Sequence, residues 1–293
     1  MNLHAMILID VWTTSDPGHT TNSTAMDAAI DLSDPGRALS LPHIRYQLIR
    51  LEDTVLFHMI ERAQFPLNST IYKPGAIPIA GSSSDLSFMD WVLRSQEEVQ
   101  SKIRRYQSPD EYPFFPDAMS ELVLPPLKYP KVLWENDVCV TDELKRRYVD
   151  DVLPGVCADL GREERPEAQE NYGSAATADV SCLQSLSRRI HFGKFVAESK
   201  FVKEEERFVR LIKAEDRKGI DEAITDSKVE KKVLERLRLK AEMYGVDSNM
   251  DAEAPRKINV DAVVAMYKDH VIPLTKIVEV EYLMQRLKGT KWE

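Results

Sequence analysis

SLSRRIHFGKFVAESKF, residues 185–201, decides the reading of this chain. Leu186, Ile190, Phe192, Phe195, Val196 and Phe201 give it an apolar helical face, and Arg188, Arg189, His191, Lys194 and Lys200 stand on it against a single acid, Glu198. The whole chain nevertheless has a formal net charge of −9. Arg189 and Lys200 lie eleven positions apart in the sequence, about 20° past three full helical turns and about 16 Å along the axis. They therefore share one stripe, and side chains of that length can converge on one small ligand. Arginine offers a planar fork for a carboxylate and lysine a compact donor for a single oxygen. Such a pair on a solvated helix face would be ordinary. Here the apolar neighbours leave little of the helix for water, and buried cations need anionic partners.

Composition sets the frame around that helix. The chain has 293 residues, 43% hydrophobic and 30% charged, enough for a substantial core and typical of a soluble protein. No apolar run reaches the 18 or so residues that a membrane-spanning helix requires, and MNLHAMILIDVW at residues 1–12 lacks the basic start and small-residue cleavage site of a secretory signal. Cys139, Cys157 and Cys182 are widely spaced, with no C-x-x-C pair and no histidine spacing that suggests zinc. The expectation is a cytoplasmic protein without a metal or cofactor. An acidic balance argues against a nucleic-acid partner. It also means that the basic patch must act locally, because the bulk charge repels anions.

Outward from the central helix the pattern stays helical. Residues 1–40, rich in Asp, Ser, Thr, Gly and Ala, read as a mobile tail. From Pro42, the residues Ile44, Leu48, Leu51, Val55, Phe57 and Ile60 keep a helical period. A loop rich in Pro, Gly and Ser covers residues 72–85. Helices are expected over 87–106, 141–156, 218–224, 228–243 and 260–288, and one long helix or two in tandem over 177–212. Strand-like alternation, internal repeats and Gly-rich phosphate loops are not found, so the class is all-α, a bundle of about ten to twelve helices.

Further constellations stand on these helices. Asp226 and Glu230 are spaced i, i+4 in ITDSKVEKKVLERL, as are Thr275 and Glu279 in VIPLTKIVEVEYLMQRL. A glutamate on an apolar helix is a candidate for a raised pKa, and the plain alternative is a glutamate at the stripe's edge. His58 and His191 read as structural. Arg45 is a first-turn residue whose spacing alone assigns nothing. Arg104 and Arg105 are adjacent, and Asn171, Gly173, Ser174 and Thr177 stand in NYGSAAT ahead of the long helix. Free backbone N–H groups at such a turn can hold a carboxylate or simply cap the helix.

Taken together, IRYQLIRLED (44–53), IRRYQSPDEYPFFPD (103–117), NYGSAAT (171–177), CLQSLSRRIHFGKFVAESKF (182–201) and IPLTKIVEVEYLMQRL (272–287) resemble the all-helical chorismate mutase of fungi and plants, over about residues 41–287. The resemblance implies a single catalytic domain over 41–293, with an effector and dimerisation region embedded at about 85–180. It implies rearrangement of the dianion chorismate to prephenate, with no covalent intermediate. Arg45 and Arg189 would grip the two carboxylates with help from Thr275. Lys200 and Glu279 would hydrogen-bond the ether oxygen, and Asp226 and Glu230 would take the ring hydroxyl. Asp226 departs from the asparagine of yeast-like members. The resemblance also implies a homodimer with a Tyr or Trp effector site, built from Arg104 and Arg105 of one chain and Asn171, Gly173, Ser174 and Thr177 of the other. Glu170 and Asn259 depart from that effector pattern. A protein that kept the fold as an interaction module is the other reading, and the complete set Arg45, Arg189, Lys200, Glu230, Thr275 and Glu279 speaks for the enzyme.

Overall fold

The computed structural model describes residues 32–80, 85–158, 166–246 and 256–293. Among them every regular element is helical: α1 (Pro35–Ala38), α2 (Leu41–Ala63), α3 (Phe88–Lys102), α4 (Thr141–Arg147), α5 (Leu153–Val156), α6 (Tyr172–His191), α7 (Gly193–Lys203), α8 (Glu205–Lys213), α9 (Arg217–Ile224), α10 (Ser227–Tyr244), α11 (Val260–Met266) and α12 (Ile272–Gln285). None is long and apolar enough to cross a membrane.

Local chemistry starts these helices. Pro42 sits in the first turn of α2, where its missing N–H costs nothing. Ser87, Asp216, Asp226 and Asn259 cap α3, α9, α10 and α11, each accepting a hydrogen bond from a first-turn backbone N–H. π-helical turns at Tyr148–Val152 and Tyr267–Val271 join α4 to α5 and α11 to α12. Each immediately precedes a helix with proline in its first turn, Pro154 or Pro273. A proline ring displaces the carbonyl four residues back and brings no N–H, and the extra residue of a π turn absorbs that offset without ending the helix.

α6 is the central element, packed against α2, α3 and α12. Small residues on its buried side, Ala175, Ala176 and Cys182, let neighbours approach, and Leu183, Leu186 and Ile190 complete the core there. α2 and α6 are pinned by a buried ion pair, Arg62 Nε–Asp179 Oδ1 at 2.6 Å. The hydroxyls of Tyr72 and Tyr148 also donate to Asp179, at 2.7 and 2.8 Å, so both carboxylate oxygens are satisfied. A second apolar cluster joins α7, α8, α9 and α12 through Phe201, Phe208, Ile212, Ile220, Ile224 and Leu283.

Three expectations change. The ordered body begins before Leu41: Asp34 caps α1, Ala38 is buried, and the Leu39 carbonyl accepts from Ser199 Oγ at 2.7 Å. Residues 1–31 of the expected tail lie outside the described residues. The helix expected over 177–212 is three, broken after His191 and at Glu204, whose φ of −128° and ψ of 42° leave the helical region. Lys194, a buried basic residue that would be expected to meet an acid, forms no ion pair with a described residue. Its ammonium is buried and donates to Tyr112 Oη at 2.8 Å, Asn136 Oδ1 at 2.7 Å and the Val138 carbonyl at 2.5 Å. Burial pulls its pKa down to about 7. Arg188 does meet an acid, with Nε 2.6 Å from Asp110 Oδ2.

Lys194 and its neighbours thereby hold a stretch without helix, residues 131–140, against the bundle. The Val140 N–H donates to His191 Nε2 at 3.1 Å. Burial pushes the His191 pKa down to about 3, so the ring is neutral with its proton on Nδ1, facing the Ser187 carbonyl at 2.9 Å. The Trp134 N–H donates to Tyr282 Oη on α12 at 2.9 Å.

Candidate active site

The break between α6 and α7 is where the site begins. A Cβ at Gly193 would stand 2.9 Å from Thr275 Cγ2 and 3.1 Å from Glu279 Cγ. Only glycine lets α7 start this close to α12, and the two α12 side chains it touches are the pair singled out in the sequence. Gly193→Ala is expected to push both aside. The expected outcome is a melting temperature several degrees lower, from about 1–3 kcal/mol of overpacking, together with a loss of turnover. Unchanged melting and unchanged turnover would remove Gly193 from this account.

Arg189, near the end of α6, is 6% exposed. Its Nε is buried with no hydrogen-bond partner, and no described carboxylate forms an ion pair with it. The Tyr267 ring lies below the guanidinium, with its centroid 5.9 Å from the guanidinium carbon. A buried cation without an anion is costly, and a ligand carboxylate would resolve it. Glu279 on α12 is 7% exposed. Burial drives its pKa up to about 8, although Lys200, Arg189 and Lys276 pull it down; Asp221 adds a smaller push upward. Its carboxyl is therefore mostly protonated at pH 7 and is a hydrogen-bond donor there.

Lys200 is half-buried on α7 and donates to the Ile224 carbonyl, the last residue of α9. A helix C-terminus favours a cation, and an ammonium has two further hydrogens to give. Lys200 lines a cavity of about 490 Å³ with Leu41, Lys203, Thr225, Asp226 and Lys228. Asp226 Oδ1 caps α10, accepting from Lys228 N at 3.1 Å and Val229 N at 3.2 Å, and leaves Oδ2 for other donors. Arg45 is exposed on α2, one turn beyond Leu41 at the cavity rim, and forms no ion pair with a described residue. Glu230 on α10 pairs with Lys276 Nζ at 2.8 Å. The Thr275 hydroxyl donates back to the Val271 carbonyl at 2.7 Å.

The structure thus brings Arg189, Lys200 and Lys276 to act on the Glu279 carboxyl, with Thr275 one turn before it on α12. It places Lys200 and Asp226 on one cavity and ties Glu230 to α12. Arg45 stands on the rim without touching the rest. Two further groups are absent from the sequence reading. Glu52, wholly buried on α2, is held by the fork of Arg236 at 2.8 and 2.6 Å. Its signal was an acid among Leu51, Val55 and Leu56, since a buried carboxylate demands a partner. Lys276 adjoins Thr275 and lies i, i+3 from Glu279, a spacing that puts it on the same helix face.

The expected effector residues divide. Gly173, Ser174 and Thr177 open onto a hollow of about 400 Å³ shared with Glu61, Gln64 and Phe65. Arg104, Arg105 and Asn171 do not line it. Arg104 Nη1 donates to the Pro125 carbonyl at 2.9 Å. Arg105 is engaged by Glu111 at 3.1 Å and Gln184 at 3.0 Å. Asn171 stands at the N-cap of α6 without a side-chain cap bond. Among the described residues no three potential ligands cluster as a metal site.

An unmatched buried arginine beside a carboxyl that keeps its proton, set among packed helices, is an arrangement suited to holding a small anion. Residues 171–280 match the family described as chorismate mutase type II. The chain is 66% identical over 269 residues to the chorismate mutase of Emericella nidulans, covering 92% of this chain and 100% of that one. The fold is similar to the chorismate mutase of Candida albicans in complex with L-Trp, with a TM-score of 0.83 at 42% identity over 90% of this chain and 97% of that one. It is also similar to AtCM1 with tyrosine bound in its allosteric site, with a TM-score of 0.75 at 37% identity over 87% and 99% of the two chains. The chain belongs to the chorismate mutase family.

Proposed function

We propose that this chain rearranges chorismate to prephenate, with the charges above arranged for the breaking ether bond. The observation that carries the reading is the buried Arg189 guanidinium, which forms no ion pair with a described residue and whose Nε has no hydrogen-bond partner among them, next to a Glu279 carboxyl whose pKa stands at about 8. Arg189 takes one carboxylate of the substrate in its fork. Arg45 swings in from the rim for the other, with Thr275 beside it. Asp226 through Oδ2 and Glu230 accept from the ring hydroxyl. The ether oxygen has lone pairs and no hydrogen, so it needs donors: Lys200 supplies one and the protonated Glu279 the other. These interactions hold the folded conformer and strengthen as charge develops on the oxygen, which lowers the barrier without a covalent intermediate. The test is loss of chorismate absorbance with the purified chain. No loss above the uncatalysed rate overturns the reading.

The same reading makes 41–293 one catalytic domain working in the cytoplasm as a homodimer, with residues of about 85–180 carrying effector and dimer contacts. The hollow at Gly173, Ser174 and Thr177 takes Tyr or Trp, with Arg104 and Arg105 supplied by the partner chain and Asn171 beside the hollow. The Candida albicans enzyme holds L-Trp and AtCM1 holds tyrosine in an allosteric site, which supports this class of effector. Arg105→Ala is expected to abolish any response of turnover to Tyr or Trp. A response of parental size in that variant would place the effector elsewhere.

A further inference from the structure

We propose that Lys276 is a positioning residue of the reaction: its ion pair with Glu230 reaches from α12 to α10 and holds that carboxylate facing the substrate. This rests on the function proposed above and adds a residue to it. α10 packs against α11 and α2, whereas α12 packs against α6, α7 and α9. α11 runs on through its π turn into α12, so the Lys276 Nζ–Glu230 Oε1 contact at 2.8 Å fastens α10 to a later stretch of the helix it packs against. Glu230 has no cation of its own helix to choose. The positions three and four residues on are Val233 and Leu234, and those three and four residues back are Ser227 and Asp226. Helical neighbours at those spacings are the only ones within easy reach, so the partner has to come from outside α10. Lys276 has one acid at such a spacing on its own helix, Glu279, which is mostly protonated at pH 7. Each residue is thus left with the other. Both side chains are only about one-third exposed, 29% and 30%, and the site end of α10 is otherwise exposed at Asp226, Ser227 and Lys228.

The pair has a second effect, because the Lys276 ammonium is one of the charges acting on Glu279. The groups that face Glu279 are Arg189 from α6, Lys200 from α7, Asp221 from α9 and Lys276 from α12 itself. Of the three cations, Arg189 and Lys200 are assigned to substrate. Lys276 is the one held by a carboxylate of the protein, so its position persists through turnover.

The experiment compares the parent chain with Lys276→Gln and Lys276→Arg, measuring kcat and KM for chorismate across about pH 6–9.5. With Lys276→Gln, Glu230 loses its tether and KM is expected to rise about two- to fivefold, the range for a partly exposed ion pair, with kcat near the parent's. Removing a positive charge beside Glu279 favours its protonated form, so the alkaline decline of kcat/KM moves to higher pH. Lys276→Arg keeps the charge and the pair and returns both readings towards the parent. A general loss of structure would lower activity without moving the alkaline limb upward. Lys276→Gln with the parent's KM and the parent's alkaline limb overturns this inference alone. A parent that does not convert chorismate overturns the function and this inference together.

Discussion

Arg189→Lys is expected to lower kcat/KM for chorismate by about a hundredfold or more, the scale of losing a bidentate contact to a desolvated carboxylate. Lysine keeps the charge and loses the fork, so the substrate carboxylate is left half-held at a site already closed to water. The same residue allows activity to be separated from folding. The Arg189 Nε is buried without a hydrogen-bond partner among the described residues, and an unmatched buried cation opposes folding. Arg189→Met should therefore be inactive and melt no lower than the parent, despite losing its contact with the Tyr267 ring. Kinetics and thermal melting of the two variants check both statements. A Lys variant with near-parental kcat/KM, or a Met variant that melts well below the parent, would show that Arg189 serves the fold instead.

Glu279→Gln is the second large effect, and its sign depends on pH. The Glu279 pKa is raised to about 8, so the donor to the ether oxygen is lost as pH rises through that value, and kcat/KM of the parent declines there. A bound dianion favours the protonated carboxyl still more, so the decline in kcat sits at higher pH than the decline in kcat/KM. Gln donates at every pH and should stay active without that alkaline limb. Stability moves in the same window. Between the ordinary carboxylate pKa and about 8, the unfolded chain releases a proton that the folded chain keeps. Rising pH therefore weakens the fold, by at most about 5 kcal/mol once pH exceeds 8. Glu279→Gln removes that penalty, so its melting temperature should exceed the parent's by a margin that grows from acid to alkaline pH. An inactive Gln variant, or one with the parent's alkaline decline, would take the donor role from Glu279.

The helices themselves were legible because their period and apolar faces are local properties. Thr141 to Val156 was bounded by its pattern and by Pro154, and α9 and α10 fell near their expected limits, whereas the single helix expected over 260–288 is α11, a π turn and α12. The breaks were not. The sequence around Phe192 shows a glycine but not why it is needed, because Thr275 and Glu279, which leave no room for a Cβ at Gly193, lie on another helix. The π turns were hidden for a related cause: a proline marks the disturbance but not the geometry that relieves it. Arg189, Lys200, Thr275 and Glu279 stood out by residue type on apolar helices, but only the family resemblance gave them roles. Glu52 and Lys276 were not, because what defines them is a partner far along the chain. Arg236 lies 184 positions from Glu52, and no spacing rule reaches that far. Asp226 was read as a helical residue facing Glu230 and proves to be the cap before the helix begins.

The stretch 131–140 has a consequence for how the chain is made. It has no helix of its own, and its anchors are Lys194 and His191 near the α6–α7 junction and Tyr282 on α12. Synthesis runs from the N-terminus, so these residues leave the ribosome long before anything exists to receive them. Residues 131–140 stay unfastened until α7 emerges and are only partly held until α12 follows. Contacts of that sequence separation form late because the intervening chain must be closed first. A nascent chain halted before Lys194 would keep the residues of this stretch and lack its structure, so proteases acting during synthesis should cut there first.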